Sequence, residues 1–154
     1  MVLTPSLLRA RRIALLVPTT LLAGAYISQY GFGLFPCEMC WWQRWPHFAA
    51  VAFAVLGFFV APQRLWILLA ALAILLSGAI GGFHAGVEYG WWDGITPCTT
   101  PVSQGGDVMK SILDAPLVRC DVAPWTLAGV SLPGWNFLIS TAAGLAVLLL
   151  LARK

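Results

Sequence analysis

Four long apolar stretches constrain the fold of this chain more than any other feature of its sequence. They cover residues 12–30, 41–61, 65–86 and 132–151, and each has about the 20 mostly apolar residues that a helix needs to cross a bilayer. Only 10% of the residues are charged, well below the share in a water-soluble domain. Backbone groups in lipid must be hydrogen-bonded within the protein, which favours helices. We therefore predict an all-α membrane protein, a four-transmembrane-helix bundle that forms a single domain over residues 1–154.

The distribution of charge predicts the orientation of this bundle. Basic residues without acidic neighbours precede the first stretch, separate the second from the third, and end the chain: Arg9, Arg11, Arg12, Arg64, Arg153 and Lys154. All six acidic residues lie in or beside the other connections. Because basic residues concentrate on the cytoplasmic side, we expect both termini there and residues 31–40 and 87–131 on the outer side. The first stretch lacks a small-x-small cleavage site, so we expect a retained helix rather than a signal peptide.

The connections predict further features of the fold. The segment APQR, which contains Pro62, predicts a tight antiparallel turn between the second and third stretches. Gly78, Gly82 and Gly86 recur every four residues, so one face of the third helix should allow a neighbouring backbone to approach closely. The long second outer connection is rich in proline and glycine. Within it, DVMKSILDAPLV predicts a short amphipathic helix, which could lie on the membrane surface or pack on its own domain.

All four cysteines fall in or beside the predicted outer connections: Cys37, Cys40, Cys98 and Cys120. They could form structural disulfides, bind zinc, or exchange disulfides with a partner. Closing a loop as small as Cys-x-x-Cys adds little stability, which weakens the first interpretation. The wide separation of Cys98 and Cys120 differs from the paired spacing of zinc knuckles. A Cys-x-x-Cys pair that opens a helix suits exchange, because the N-terminal amides stabilise a thiolate.

A thiol pair at the membrane surface needs an electron acceptor, and a lipid-soluble quinone is the obvious one. On a regular helix Arg44 and His47 share a face with Cys40. Arg44 could donate a hydrogen bond to a quinone oxygen, or it could anchor a lipid headgroup. Pro46 either kinks this helix or marks its true first turn, and a start that late would remove the shared face.

Two ionisable residues near the outer end of the third stretch are further candidates for quinone binding. His84 and Glu88 are four residues apart and therefore lie on one face of a helix. Ionisable side chains at that depth are functional candidates by default. The pair could relay protons to a quinone or form a structural hydrogen bond between helices. We expect no metal site.

Three segments give the chain a resemblance to a known family. PCEMCWWQR opens the second stretch, GGFHAGVEYGWW ends the third, and CDVAPWTLAGVSLPGWNF leads into the fourth. Together with Cys98, they resemble the DsbB family of bacterial disulfide bond formation proteins, which are four-helix quinone reductases of the inner membrane. The resemblance covers nearly the whole chain. Pro46 and the short first outer connection depart from the family pattern.

The resemblance implies an electron route through the four cysteines. A reduced periplasmic thioredoxin-fold protein, similar to DsbA, would attack Cys98 of a Cys98–Cys120 disulfide. The released Cys120 would attack Cys37 of a Cys37–Cys40 disulfide, and Cys40 would become a thiolate beside a quinone that Arg44 holds. Ubiquinone is favoured and menaquinone is the other option. A resting Cys37–Cys120 bridge is an open alternative. The competing hypothesis is a non-catalytic membrane protein whose outer disulfides are structural.

Overall fold

The computed structural model describes residues 4–96 and 119–153. Within these ranges the regular secondary structure is helical apart from one short hairpin. The elements are α1 (Pro5–Gly31), α2 (Glu38–Phe59), α3 (Gln63–Glu88), β1 (Thr126–Leu127), β2 (Val130–Ser131) and α4 (Leu132–Ala152). The predicted amphipathic helix in DVMKSILDAPLV and the predicted site residue Cys98 lie outside the described residues.

Three of these helices, α1, α3 and α4, are long and apolar enough to cross a membrane. They match the first, third and fourth predicted spans. The length of α2 is comparable, at 22 residues, but its first half carries Glu38, Gln43, Arg44 and His47, which lower its mean hydropathy. The last three of these side chains are buried against other helices, as expected for polar groups within a bundle. A membrane crossing by α2 stays a prediction.

Capping side chains determine where α2 and α4 begin. Cys37 is the N-cap of α2, and the hydroxyl of Ser131 caps α4 by accepting a hydrogen bond from the N–H of Gly134. Such caps satisfy amides that have no partner within the helix. Because α2 begins at Glu38 and continues through Pro46, the alternative in which this proline marks the first turn of the helix is wrong. Cys40 and Arg44 therefore keep their shared helical face.

The glycines of α3 allow close packing, as their spacing predicts. A Cβ atom on Gly78 would lie 3.1 Å from the Cβ of Ser140, and one on Gly82 would lie 2.9 Å from the Phe137 ring. Both contacts are with α4, so the two helices approach closely here. Gly86 faces a different neighbour, because a Cβ there would overlap the Trp92 ring. The glycine face thus accommodates a helix over two positions and an indole ring at the third.

We expect Gly82→Leu to lower the free energy of unfolding by about 1–3 kcal/mol, the usual effect of overpacking a tight contact. The added side chain would have to displace the Phe137 ring from the interface between α3 and α4. Thermal unfolding in detergent measures the effect. Gly31→Leu is the matched control, because the atom nearest to an added Cβ is 3.8 Å away in its own helix. Equal destabilisation by both substitutions would contradict a specific helix contact at Gly82.

The basic residues of the predicted cytoplasmic segments and the cysteines lie at opposite ends of the bundle. Arg11 stacks 3.9 Å from the Phe58 ring, which brings the start of α1 to the end of α2. Arg64 donates a hydrogen bond to the carbonyl of Leu151, which brings the α2–α3 connection to the end of α4. The cysteine pair opens α2 at the other end. This arrangement is compatible with the predicted orientation, and the side of the membrane that each end faces stays a prediction.

Hydrogen bonds hold the hairpin, at the end of the second outer connection, against the end of α3. The hydroxyl of Tyr89, next to the end of α3, donates to the carbonyl of Gly129 and accepts from the N–H of Ser131. Ala128 and Gly129 have positive φ values of 51° and 77°, as the tight turns of two-residue hairpins require. The start of α4 is thereby placed beside the end of α3, where the cysteines lie.

Candidate active site

The Cys-x-x-Cys pair is built by the first turn of α2. The backbone N–H of Cys40 donates to the sulfur of Cys37 over 3.3 Å, and the Cys37 thiol donates to the sulfur of Cys40 over 3.1 Å. Both residues are thiols in this structure. Exposed amides at a helix N-terminus favour negative charge on a nearby sulfur. The first turn of α2 therefore provides the environment of a redox cysteine pair.

The two sulfurs hold their protons unequally. The hydrogen bond to Cys40 and burial raise the pKa of the Cys37 thiol from 9.0 to about 12, while the hydrogen bond with His84 acts in the opposite direction. Because Cys37 is the donor to Cys40, Cys40 is the sulfur whose negative charge this hydrogen bond favours. A single ionisation of the pair thus places the thiolate on Cys40.

Cys40 and Arg44 line one cleft between α1 and α4, which we call the α1–α4 cleft. Its volume is about 240 Å³. The rest of the wall is mostly apolar and includes Leu21, Leu22, Ala25, Phe35, Leu132 and Trp135. Ligand sites usually combine such apolar walls with a few convergent polar groups. The α1–α4 cleft can therefore hold a flat apolar ring that presents an oxygen to a cation.

Arg44 is held inside the bundle by α1. Its guanidinium donates to the side-chain oxygen of Gln29 over 2.6 Å and to the carbonyl of Ala25 over 3.3 Å. Its Cζ atom lies 4.9 Å from the rings of both Tyr26 and Trp41. Only 6% of the residue is exposed, so this position is poorly suited to a headgroup anchor. A guanidinium has five N–H donors, which leaves some for a ligand in the cleft.

The other candidate quinone-binding residues, His47, His84 and Glu88, do not line the α1–α4 cleft. His47 lies about 10 Å further along the axis of α2 than Cys40, and its Nε2 is 2.9 Å from the Oδ1 of Asn136 on α4. His84 lies on the side of Cys37, with its Nε2 3.6 Å from that sulfur. The carboxylate of Glu88 is 3.9 Å from the same nitrogen. Of the four, Arg44 alone joins Cys40 in the cleft, and the histidine–glutamate pair borders the buried cysteine instead.

Cys120 joins the same end of the bundle. It is 1% exposed and belongs to one buried cluster with Cys37, Met39 and Val87. Its sulfur lies 3.5 Å from the hydroxyl of Thr96. The structure thus gathers three of the four predicted cysteines, and Cys98 lies outside the described ranges.

Two polar residues that the sequence did not single out link the helices at this site. Asn136 donates its side-chain N–H to the Oε1 of Gln43 over 2.9 Å, and both residues line the α1–α4 cleft. Each is a polar residue within an apolar stretch, and that property alone marks candidates in membrane helices. Their mutual contact depends on the register between α2 and α4.

The cysteine pair and His84 are close enough together to be considered as metal ligands. Their ligand atoms all lie within 4.8 Å of one another. Two cysteine sulfurs on a tetrahedral zinc ion stand about 3.8 Å apart, whereas these are 3.1 Å apart and share a hydrogen bond. The arrangement therefore fits a thiol pair better than a pair of zinc ligands.

Comparisons with known proteins find relatives over most of the chain. The family model described as "Disulfide bond formation protein DsbB" matches residues 9–151. A disulfide bond formation protein B from Verminephrobacter eiseniae is 32% identical over 152 residues, covering 92% of this chain and 83% of the relative. Relatives of the same name from Paracidovorax citrulli and Marinobacter nauticus are 29% and 28% identical, over 93% and 89% of this chain and 87% and 89% of their own lengths. No solved structure shows a significant match.

Proposed function

Because the chain belongs to the DsbB family of disulfide bond formation proteins, we propose that it oxidises a periplasmic dithiol protein and passes the electrons to a membrane quinone. The observation that carries this proposal is the position of Cys40. This sulfur accepts the hydrogen bond of Cys37 and lines the same apolar cleft as the guanidinium of Arg44. A thiolate therefore has both an electrostatic partner and room for an electron acceptor beside it.

The residues of the α1–α4 cleft fit a quinone headgroup. Apolar side chains of α1 and α4 would cover the faces of the ring, and the remaining N–H groups of Arg44 would donate to one of its oxygens. Ubiquinone is our first choice and menaquinone the second. A bound quinone supplies an acceptor for two electrons and two protons. The chain itself orients the ring and keeps the Cys40 sulfur next to it.

The cysteines would move the electrons by two disulfide exchanges. A thiolate of the partner, a thioredoxin-fold protein similar to DsbA, attacks Cys98 and breaks a Cys98–Cys120 disulfide. The released Cys120 attacks Cys37, which breaks the Cys37–Cys40 disulfide and leaves Cys40 as a thiolate at the cleft. The burial of Cys120 in one cluster with Cys37 supports this second exchange.

The remaining steps return the cysteines to their starting state. The second cysteine of the partner attacks the mixed disulfide and releases Cys98. Cys98 then attacks Cys120 of the Cys37–Cys120 disulfide, which re-forms the Cys98–Cys120 disulfide and frees Cys37. Cys37 and Cys40 then re-form their disulfide as two electrons leave through Cys40. One dithiol becomes a disulfide and one quinone becomes a quinol, so electrons and protons balance. In this scheme the cysteine end of the bundle faces the periplasm, and the basic end faces the cytoplasm across the inner membrane.

A reconstituted reaction tests the proposal. The purified protein in detergent is mixed with a reduced thioredoxin-fold dithiol protein and a soluble quinone analogue, and quinone absorbance is followed. We expect the quinone to be reduced at a rate proportional to the concentration of the protein. If all four cysteines instead stay in stable disulfides and no quinone is consumed, the structural-disulfide hypothesis is the better one.

We expect Cys98→Ser to abolish oxidation of the partner while leaving quinone affinity unchanged. Cys98 is the proposed entry point for electrons, whereas the described lining of the α1–α4 cleft comes from α1, α2, α4 and the segments beside them. Partner thiols are counted over time, and quinone affinity is measured by quenching of tryptophan fluorescence. Ser103→Ala, five residues away in the same connection, is the control. Partner oxidation that survives in Cys98→Ser would mean that electrons enter elsewhere.

A further inference from the structure

A chain of hydrogen bonds crosses three helices and ends at the buried cysteine. The Nε2 of His47 lies 2.9 Å from the Oδ1 of Asn136, and the Nδ2 of Asn136 lies 2.9 Å from the Oε1 of Gln43. The Nε2 of Gln43 lies 2.9 Å from the Nδ1 of His84, and the Nε2 of His84 lies 3.6 Å from the sulfur of Cys37. Four of these five residues do not belong to the cysteine relay, so their arrangement requires a separate explanation.

Two backbone carbonyls fix the direction of this chain. The carbonyl of Met39 lies 3.2 Å from one amide atom of Gln43, and the carbonyl of Ser77 lies 3.2 Å from one amide atom of Asn136. A carbonyl can only accept a hydrogen bond, so both amide atoms must be nitrogen. The two assignments are independent of each other. The two assignments are also consistent with each other, because they place the side-chain nitrogen of Asn136 opposite the side-chain oxygen of Gln43, as a hydrogen bond between them requires.

The direction of the chain determines which ring nitrogen of His84 carries the proton. The amide nitrogen of Gln43 has no lone pair to offer, so the Nδ1 of His84 must accept its hydrogen. A neutral ring then has its proton on Nε2, the nitrogen that faces Cys37. We propose that Gln43 is a positioning residue that holds His84 in this tautomer, and that His84 donates its Nε2–H to Cys37 and stabilises the Cys37 thiolate.

The position of Cys37 explains why such a donor is useful. In the proposed cycle, Cys37 leaves Cys120 as a thiolate and then forms the bond to Cys40, yet it is 7% exposed. Burial disfavours a thiolate and hydrogen-bond donors favour it. The N–H of Cys40 is one donor, and the Nε2–H of His84 is the second. This use in turnover rests on the proposed function, whereas the tautomer and the pKa of Cys37 exist without quinone or partner.

Several ionisable groups surround Cys37 and must be controlled in any titration. Cys40, His84 and Cys120 lie beside Cys37 itself, whereas Arg44 and Glu88 act on the neighbouring Cys40. The oxygen of Glu88 is 3.9 Å from the Nε2 of His84, beyond hydrogen-bond distance for two such atoms. The sulfur of Cys37 at 3.6 Å is within the longer reach of sulfur and is therefore the acceptor that the ring faces.

The first experiment titrates Cys37 as the only cysteine, with Cys40, Cys98 and Cys120 replaced by serine. The rate of alkylation by a small neutral reagent is followed against pH in detergent without quinone. We expect His84→Leu to raise the pKa of Cys37 by about one to two units, because a donor to the thiolate is lost. His84→Gln should restore most of the shift, since an amide N–H can replace Nε2–H.

Gln43 is then tested through a double-mutant cycle. Gln43→Met should raise the pKa of Cys37 when His84 is present and have no further effect when His84 is leucine. An unchanged pKa in Gln43→Met would overturn the positioning role. So would an equal increase with and without the histidine, because Gln43 would then act on Cys37 independently of His84.

A second measurement needs no change at Gln43. The protein has two histidines, so ¹⁵N NMR of histidine-labelled protein gives two sets of ring signals, and His47→Gln assigns them. We expect a neutral ring with protonated Nε2 and unprotonated Nδ1 at His84, near neutral pH and without quinone. A proton on Nδ1, or a doubly protonated ring, would overturn the proposal even if the alkylation variants failed to fold.

Discussion

Cys40→Ser should lower quinone reduction at least about a thousandfold, because removing a nucleophile from a catalytic site costs this much or more. Serine keeps the size and the N-terminal position in α2, but its hydroxyl neither forms a disulfide nor ionises in the working pH range. The α1–α4 cleft would remain and would no longer contain a thiolate. The measurement is the rate of quinone absorbance loss with a reduced dithiol protein in excess.

Two controls separate loss of chemistry from loss of structure. Ala52→Ser adds the same hydroxyl to an exposed position of α2 and should retain nearly the full rate. Quinone affinity of Cys40→Ser, measured by fluorescence quenching, should stay within a few-fold of the parent protein. Retained quinone reduction in Cys40→Ser would mean that another sulfur donates the electrons, and the role of Cys40 as terminal thiolate would be wrong.

The sequence predicts the helices of this site and the faces within each helix better than it predicts the contacts between helices. Hydrophobic length predicted four membrane-spanning helices, and three of the described helices are long and apolar enough to cross a membrane. The spacing of Cys40 and Arg44 predicted a shared face that α2 retains through Pro46. Both features are local, because they depend only on the period of one helix. The glycine spacing on α3 likewise predicted a close contact. Which helix makes that contact was not predictable from α3 alone, and the structure shows α4 at Gly78 and Gly82.

Contacts between helices depend on register, which the sequence does not contain in readable form. His84 and Glu88 lie on one face of α3, as their spacing predicted, and their role in the site stays a prediction. The side of the site on which they lie depends on the orientation of α3 about its own axis relative to α2. This orientation places His84 beside Cys37 and not in the α1–α4 cleft. Gln43 was overlooked for the same reason, since its importance lies in contacts with α3 and α4. Pairing across helices was thus the part that required a structure.

The apolar character of α2 shows a related difficulty. Its buried polar side chains leave α2 outside the set of helices that are apolar enough to cross a membrane, although these side chains face protein and not lipid. Mean hydropathy averages over all faces of a helix. It therefore gives a low value for a membrane helix whose polar residues all lie on the face toward a functional site. The residues that lower the average, Gln43, Arg44 and His47, are among those that build the functional site.

Arg44→Met should raise the KM for quinone by about 10- to 100-fold, because a hydrogen bond to a charged group contributes about 1.5–3 kcal/mol. Methionine fills much of the same volume and removes the charge and the donors. The KM for the dithiol protein should change by less than about twofold, since the partner reacts at Cys98. A selective effect on quinone identifies Arg44 as a ligand of the acceptor.

The control for Arg44→Met is Arg12→Met, which removes a positive charge from an exposed site at the basic end of the bundle. This variant should leave both KM values unchanged. Arg44→Lys should fall between the parent and Arg44→Met, because lysine restores the charge without the planar fork that reaches Gln29 and Ala25. Equal increases in both KM values for Arg44→Met would show that the arginine supports the fold of this end of the bundle, and quinone would then have to bind elsewhere. A KM change confined to quinone would connect the thiolate at Cys40 to an acceptor in the α1–α4 cleft.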